Sequence, residues 1–385
     1  MRKIGVVTNS RADYSRLKTI LQAIKDSSKL ELQVYVIGTH LLWYYGDTIK
    51  EIQKDGFDIT YKLHNEIEGR IPVTMAKSTG LIISDLSSAF YNFKPDVVVV
   101  HGDRFEAMAA TIAASFMNIP VAHIQGGEVT GSIDEHIRHA ITKLSHFHFP
   151  SNEEAKERII RLGEKPESVF NFGCPSVDVL LSTPVLSFKD LKSKIFEIAA
   201  KERWKKKFSK NFFLVVQHPV TTEMRQNKKS MTELFQALKK FNQSIVMLWP
   251  NIDAGAEEMV LEVKKNESDF GERIGVFPSF PLDVFINIMR HAKVMIGNSS
   301  AGLREACYFG LPVVNIGNRQ SGRKETANVA TVPPVCSKIE QAIKRQLEVG
   351  KYKKEFVYGK GDSGKRIAEV LSGIDIENTQ KVINF

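Results

Sequence analysis

Short apolar runs alternate with amphipathic stretches along almost the whole chain. "KIGVVT" (3–8) precedes the helical pattern "DYSRLKTILQAIKDS" (13–27), and "PDVVVVHGD" (95–103) precedes "RFEAMAATIAASFMN" (104–118). Runs that are apolar at every position are typical of strands buried on both faces, as in parallel sheets. Strand–helix–strand alternation therefore predicts βαβ units and an α/β fold with doubly wound sheets.

The alternation pauses around residues 179–210, where the chain is mostly polar and helical, and then it restarts. The later strand candidates are "NFFLVVQHP" (211–219), "QSIVMLWPN" (243–251), "RIGVFPS" (273–279), "KVMIGNSS" (293–300) and "PVVNIGN" (312–318). We predict two Rossmann-like domains, residues 1–179 and 180–370, that face each other across a cleft, followed by a tail, 371–385. The helical stretch "GKRIAEVLSGI" (364–374) is expected to pack back onto the first domain.

Composition limits the function classes. A length of 385 residues favours two domains, and the net charge of +9 raises the question of nucleic-acid binding. Much of the lysine lies in helical segments such as "KERWKKKFSK" (201–210), without interleaved aromatic residues. We therefore expect a solvated basic surface, which also suits a phosphate-bearing substrate, and no nucleic-acid partner. With no bilayer-spanning run of about 18–20 apolar residues and no signal-peptide pattern, we expect no membrane partner and a cytoplasmic protein.

Neither the cysteines nor the histidines are spaced like metal ligands. Cys174, Cys307 and Cys336 lie far apart and form no CxxC pair, which argues against a zinc site or a disulfide framework. The six histidines between residues 101 and 148 form no HExxH motif; they are His101, His123, His136, His139, His146 and His148. We predict no metal.

Polar residues cluster at the carboxyl ends of the predicted strands. The clusters are Arg11 with Ser15, Asp103 with Arg104, Gln125 with Glu128, His218, Asn251, and Ser299 with Ser300. Turns alone favour such residue types, so one cluster would carry little weight. Six clusters at the edge where ligands bind in α/β sheets favour a ligand site.

The stretch "VMIGNSSAGLREA" (294–306) predicts a strand, a glycine turn and a helix that begins near Ala301. A glycine turn before a helix start is suited to phosphate, with Ser299 and Ser300 as hydroxyl donors. Arg319 and Arg323 follow the next strand and would add positive charge. The pattern lacks GxxxxGK[ST], and no GxGxxG follows the first strand, so a nucleotide diphosphate is favoured over ATP hydrolysis or dinucleotide redox chemistry.

A group of acids accompanies these donors. Asp103, Glu128 and Asp134 fall in the same half of the chain, and "SIDE" (132–135) forms a capping box that puts Asp134 in the first turn of a helix, "DEHIRHAITKLSHFH" (134–148). Arg138 lies one turn later, where it could pair with Asp134, and it joins the substrate-binding candidates. Acids in a first helical turn also occur for helix-dipole reasons alone.

Several long motifs together carry a family resemblance. They are "RADYSRL", "HGDRFEAMA", "HIQGGEVTGSIDEHIRHAITKLSH", "GCPSVD", "QHPVTT", "PNIDAG", "GNSSAGLRE" and "GNRQSGR". In these motifs the chain resembles the hydrolysing UDP-N-acetylglucosamine 2-epimerases, which make N-acetylmannosamine for sialic-acid synthesis and have relatives in legionaminic-acid routes. The similarity runs from about residue 3 to residue 370. It implies a glycosyltransferase-B-like pair of domains, a UDP-sugar substrate and no metal or nicotinamide cofactor, and we expect a homo-oligomer, either a dimer or a tetramer.

The resemblance also implies roles for individual residues. It puts Asp103 and Asp134 at catalytic positions, and it lets His218 assist departure of the phosphate. Residues at UDP-contacting positions are Arg11, Ser15, Arg104, His218, Asn251, Ser299, Ser300, Glu305 and Arg319. Glu305 would suit the ribose hydroxyls.

Gln125 departs from the family pattern, because many members carry a glutamate there. A glutamine cannot act as a general acid or base at neutral pH. Gln125 would then orient substrate, with Glu128 as a contributor to catalysis, or it would mark a different substrate such as a UDP-2,4-diacetamido-2,4,6-trideoxy sugar. A glycosyltransferase of the same fold and a non-catalytic UDP-sugar-binding protein remain alternatives.

Overall fold

A computed structural model describes residues 1–42, 48–65, 67, 72–129, 134–199, 204, 208–220, 223–250, 256–377 and 380–382. The chain divides into two compact units. Unit 1 comprises residues 1–128, 133–182 and 357–385, and unit 2 comprises residues 129–132 and 183–356.

Unit 1 is built on a parallel sheet of six strands. They are β1 (Arg2–Thr8), β2 (Leu30–Val36), β3 (Tyr61–Lys62), β4 (Val97–His101), β5 (Val121–Ile124) and β6 (Phe147–Phe149). Their order across the sheet is β3-β2-β1-β4-β5-β6. The central strand β1 pairs with both β2 and β4, so that Val6 lies opposite Val34 on one side and Val99 on the other. The order reverses between β1 and β4, which is where ligands bind in doubly wound sheets.

Helices cover both faces of this sheet. They are α1 (Arg11–Lys25), α2 (Ile49–Lys54), α3 (Pro72–Phe93), α4 (Phe105–Phe116), α5 (Asp134–Leu144), α6 (Glu153–Arg161), α7 (Pro175–Ser182) and, from the end of the chain, α14 (Ser363–Gly373). Apolar residues of α1 and α14 form one core with the sheet, and residues of α3 and α4 form a second core on the other face. Burial on both faces explains why the central strands are continuously apolar.

Unit 2 repeats the architecture with a second parallel sheet. Its strands are β7 (Phe212–Val216), β8 (Ser244–Leu248), β9 (Ile274–Phe277), β10 (Val294–Gly297), β11 (Val313–Ile316) and β12 (Val329–Val332), in the order β12-β11-β10-β7-β8-β9. Its helices are α8 (Phe188–Ile198), α9 (Met224–Leu238), α10 (Ala256–Phe270), α11 (Leu282–His291), α12 (Ser300–Arg304) and α13 (Cys336–Val349).

The last helix, α14, belongs to unit 1, and this places residues 357–370 outside the domain to which the sequence had assigned them. Asp178 on α7 holds the start of α14 against unit 1. Its carboxylate accepts hydrogen bonds from the backbone N–H groups of Ser363 and Gly364 at 3.1 and 2.6 Å. Gly364 also packs so closely on α1 that a Cβ there would lie 2.7 Å from the carbonyl carbon of Thr19. The long segment of unit 2 begins after Ser182, three residues after the predicted boundary.

The prediction of an α/β fold with two Rossmann-like sheets is confirmed. One helix prediction was too long, because α5 ends at Leu144 and Phe147–Phe149 form the edge strand β6, paired with β5. Within the described ranges, no helix combines the length and the apolar character needed to cross a membrane.

Candidate functional site

In unit 1, strands β1, β4 and β5 end at one edge of the sheet, and most of the predicted site residues of the first half follow these ends. Arg11 and Ser15 lie in α1 directly after β1, whereas Asp103 comes two residues after β4. Gln125 follows β5 immediately. Because parallel strands share their carboxyl edge, these separated motifs are brought to one side of the sheet.

Asp103 is held by an arginine. Its carboxylate forms an ion pair with Nη2 of Arg138, and Nη1 of Arg138 donates to the backbone carbonyl of Glu128 at 2.8 Å. The Arg138 side chain is only 2% exposed, whereas that of Asp103 is 27% exposed. Asp103 is therefore anchored at a fixed position and still accessible. The structure describes Asp134 only as the first residue of α5, and its side chain lies outside the described part.

Glu128 is part of the same arrangement. Its side chain is buried, and Oε1 accepts a hydrogen bond from the Ser151 hydroxyl at 2.5 Å. The backbone carbonyl of Glu128 receives the Arg138 guanidinium. This residue thus supports the Asp103–Arg138 pair through its backbone.

Gln125 has an unusual backbone conformation and a buried amide. Its φ is +62°, in the left-handed region that few residues other than glycine adopt. The backbone N–H donates to the carbonyl of Phe149 at 2.9 Å, and side-chain Nε2 donates to Sγ of Cys174 at 2.6 Å. Arg16 approaches from α1, with Nη1 3.5 Å from Oε1 of Gln125. The amide is therefore fixed in orientation.

The nearby histidines stabilise the same edge. His123 is fully buried, and it links Gly102, through its carbonyl at 2.8 Å, to the Thr142 hydroxyl at 3.1 Å. Burial lowers the pKa of His123 to about 3, so the ring is neutral and braces the turn that carries Asp103. His101 pairs through Nδ1 with Asp13 at 2.6 Å. In the described part of the chain, no three His, Cys, Asp or Glu side chains are arranged to hold a metal ion.

Two predicted UDP-binding arginines of unit 1 have carboxylate partners within the unit. Arg11 pairs with Glu51 at 3.3 Å. Arg104 binds Glu106 through Nε and Nη2, at 3.0 and 2.8 Å, and Glu106 is fully buried. Arg104 therefore compensates a buried charge, in addition to any ligand contact.

In unit 2, the ends of β7 and β10 are joined by one asparagine. The backbone N–H of His218 donates to Oδ1 of Asn298 at 2.7 Å, and Nδ2 of Asn298 donates to the carbonyl of His218 at 2.8 Å. Gly297, with φ of +129°, has no room for a Cβ against the carbonyl of Val216. Asn298 is itself fully buried. These two hydrogen bonds from the Asn298 side chain, called here the Asn298 clamp, fix the backbone of His218.

The same asparagine positions Arg319. Nη1 of Arg319 and the side-chain amide of Gln320 both donate to the backbone carbonyl of Asn298, at 3.3 and 2.8 Å. Burial, and to a smaller degree the charge of Arg319, lowers the pKa of His218 to about 3. The neutral imidazole can donate a hydrogen bond, and the guanidinium beside it carries a positive charge. Together the two groups are suited to bind an anionic ligand.

The serine-rich turn follows β10 as predicted, although the helix is short. α12 begins at Ser300, one residue before the predicted start, and it spans only five residues. Ser299 caps it, with the hydroxyl accepting from the N–H of Ala301 at 3.4 Å. Glu305 is the residue after the helix and is half-buried. Asn251 lies outside the described residues.

Three residues of this arrangement were missed by sequence reasoning: Asn298, His123 and Cys174. The only signal for Asn298 was its place between Gly297 and two serines at a strand end. Sequence analysis considered His123 and Cys174 only as metal ligands, because their contacts at the site join distant segments of the chain.

Comparison with known proteins gives a consistent result over the full chain. The model of the UDP-N-acetylglucosamine 2-epimerase family matches residues 22–372. A UDP-N-acetylglucosamine 2-epimerase of Neisseria meningitidis is 34% identical, covering 100% of this chain and 99% of that protein. The UDP-N,N'-diacetylbacillosamine 2-epimerase (hydrolyzing) of Legionella pneumophila is 35% identical, over 98% of this chain and 97% of its own length.

A solved structure shares the fold. The crystal structure of UDP-GlcNAc 2-epimerase from Neisseria meningitidis bound to UDP-GlcNAc has a TM-score of 0.78, with 19% identity, and covers 96% of this chain and 99% of that one. On the family match and the full-length similarity, the chain belongs to the UDP-N-acetylglucosamine 2-epimerase family.

Proposed function

We propose that this chain is a hydrolysing UDP-N-acetylglucosamine 2-epimerase. It converts UDP-N-acetylglucosamine and water into N-acetylmannosamine and UDP, for sialic-acid synthesis. The observation that carries the proposal is the ion pair between Asp103 and the buried Arg138 at the carboxyl end of β4. It supplies a fixed carboxylate in a chain whose relatives act as 2-epimerases.

The first half-reaction removes the proton at C2 and breaks the bond between C1 and the diphosphate oxygen. The electrons of the C–H bond form the C1–C2 double bond, and those of the C–O bond leave with UDP, which gives 2-acetamidoglucal. A carboxylate in an ion pair is the ionised form, which is able to accept a proton. Asp103 meets this requirement, and we assign the proton transfers at C2 to Asp103 and Asp134.

Departure of UDP places negative charge on the diphosphate. Arg319 and His218 are suited to this charge. Asn298 fixes the position of both residues, and Arg319 is a cation. His218, neutral before the ligand binds, donates a hydrogen bond to the departing phosphate. Ser299 and Ser300 add hydroxyl donors at the neighbouring strand end.

The second half-reaction adds water to the glucal. The hydroxyl group of water adds to C1, and a proton adds to C2. This proton arrives on the face opposite the one from which the first proton was removed, so the configuration at C2 is inverted. Gln125 cannot exchange protons at neutral pH, and its fixed amide leaves it the role of orienting groups around it.

A second candidate substrate is a UDP-2,4-diacetamido-2,4,6-trideoxyglucose. Gln125 favours it, because this residue departs from the family pattern, and the relative from Legionella pneumophila carries such a substrate in its name. The chemistry at C1 and C2 would be the same.

Incubation of the purified protein with each UDP-sugar alone tests the proposal. We expect stoichiometric UDP and N-acetylmannosamine from UDP-N-acetylglucosamine. Faster release of UDP from the diacetamido sugar would favour the second substrate. UDP release only when a sugar acceptor is added would indicate a glycosyltransferase, and binding without turnover would indicate a UDP-sugar-binding protein.

A further inference from the structure

The segment that follows α14 stays in contact with the rest of unit 1. Ile374 and Ile376 pack against the core that α1 and α14 form with the sheet. Lys381 then reaches the end of α5, and its side chain is only 26% exposed there. Lysine side chains are mostly exposed in folded proteins, so a lysine this enclosed indicates specific contacts.

The ammonium group of Lys381 caps the carboxyl end of α5. Nζ donates to the backbone carbonyl of Lys143 at 2.8 Å and to that of Ser145, and the carbonyl of Thr142 lies 3.5 Å away. Oε2 of Glu164 is 2.6 Å from the same nitrogen. The last carbonyl groups of a helix lack partners inside the helix, and a cation is favourable at this end of the helix dipole. The three donors of the ammonium group are thus matched by three close acceptors.

Glu164 connects this cap to neighbouring elements. Its Oε1 accepts from Nζ of Lys143 on α5 at 2.6 Å, and its Oε2 lies 3.0 Å from Nε2 of His148 on β6. The side chains of Glu164 and His148 are both buried. Removal of the Lys381 ammonium group would therefore take one partner from a buried carboxylate and a donor from two backbone carbonyls, which is costly in a buried setting.

The helix that Lys381 caps is the one on which the proposed proton transfers depend. α5 begins at Asp134 and carries Arg138, whose guanidinium holds the carboxylate of Asp103. At about 1.5 Å per residue, Leu144 lies only about 9 Å along the helix axis from Arg138. A helix of 11 residues is marginal by itself, so its direction depends on the contacts at its sides and ends. A shift of the carboxyl end of α5 would therefore displace Arg138.

We propose that Lys381 is a positioning residue, which fixes the carboxyl end of α5 and thereby keeps Arg138 and Asp103 in the arrangement that turnover needs. This inference rests on the proposed function, because it takes Asp103 to act in the proton transfers at C2. It makes the segment after α14 part of the support of the catalytic acids.

Steady-state rates with the UDP-sugar that the wild type converts, together with calorimetric titration of UDP, test this role in the full-length protein. Lys381→Met keeps the aliphatic chain and removes the donors. Its kcat should fall by roughly ten- to a hundredfold, the range for a catalytic group displaced by about 1 Å, while KM and the number of UDP sites per chain stay close to wild type. Lys381→Arg should restore most of the rate, because a guanidinium also donates to several oxygens. A wild-type kcat in Lys381→Met overturns the proposal.

Partial unfolding would give a different result, because it lowers the number of UDP sites per chain in proportion to the rate. Lys25→Met is the matched control, since Nζ of Lys25 donates to the backbone carbonyl of Gly56 at 2.6 Å and so joins two other segments of unit 1. We expect a wild-type kcat in this control. An equal loss of kcat in Lys25→Met and Lys381→Met, or a loss that only follows the number of UDP sites, overturns the proposal.

Hydrogen exchange of backbone amides tests the anchoring of α5 without turnover. Peptides that cover residues 134–148 should exchange faster in Lys381→Met than in the wild type or in Lys25→Met, because a helix end that loses its cap opens more often. If the wild type converts neither UDP-sugar, the proposed function is wrong, and this exchange still decides whether Lys381 fixes α5. If turnover is present and the exchange of these peptides is unchanged, only the inference about Lys381 fails.

Discussion

Asn298→Ala should separate the positioning of His218 from the stability of unit 2. The side chain of Asn298 makes two hydrogen bonds to the backbone of His218, at 2.7 and 2.8 Å, inside a fully buried environment. Alanine leaves one N–H and one carbonyl without their partner. At about 1–2 kcal/mol for each lost bond, the free energy of unfolding should fall by about 2–4 kcal/mol. Because Arg319 binds the backbone carbonyl of Asn298, its position should be retained.

The kinetic effect should be selective. We expect kcat to fall by roughly ten- to a hundredfold as His218 loses its fixed orientation, with UDP affinity within a few fold of wild type. Asn287→Ala is the matched control, because Asn287 is also fully buried and makes similar bonds to Leu186 N–H and to the Pro184 carbonyl, at 2.9 and 3.0 Å. Urea unfolding and steady-state rates of both variants are the assay. If the two variants lose stability equally and turnover equally, the clamp has no special role at the site.

Three further predictions concern the acid, the phosphate contact and pH. Asp103→Asn should lower the initial rate of UDP release by about 10²–10⁴-fold and leave the circular dichroism spectrum unchanged; near wild-type rates would remove Asp103 from catalysis. Arg319→Ala should weaken UDP binding in calorimetry by roughly ten- to a hundredfold, and unchanged binding would contradict the phosphate assignment. Burial lowers the pKa of His40 to about 4 and of His123 to about 3, so below pH 6.5 the unfolded chain takes up protons that the folded chain does not. The free energy of unfolding should therefore be lower at pH 5 than at pH 7, by about 2 kcal/mol for each histidine. Equal midpoints of urea unfolding at the two pH values would refute this.

The central strands and the helices of the fold could be predicted because their patterns are strong. Strands such as β4 and β7 are apolar at nearly every position, which reflects burial under helices on both faces. The strands that were missed, β3, β6 and β12, all lie at sheet edges and span two to four residues. Short edge strands need no continuous apolar run, so they leave little signal in a sequence.

The site was predictable to the extent that motifs at strand ends locate it. Asp103 and His218 were recognised by their position after β4 and β7, which is a local property of the sequence. The ion-pair partner of Asp103 was not recognised. Sequence spacing suggested that Arg138 pairs with Asp134, one helical turn earlier, whereas the ion pair in the described residues joins Arg138 to Asp103. Contacts between separate segments depend on the packing of the sheet, and no local pattern encodes them.

Conversion of UDP-N-acetylglucosamine in D₂O, followed by NMR and mass spectrometry, tests the hydrolytic epimerase reaction most directly. The account predicts N-acetylmannosamine with one deuterium at C2, released together with an equal amount of UDP. In H₂¹⁸O the UDP should contain no ¹⁸O, because the bond between C1 and oxygen breaks. Formation of UDP-N-acetylmannosamine without free UDP, or release of N-acetylmannosamine with no deuterium at C2, would contradict the account.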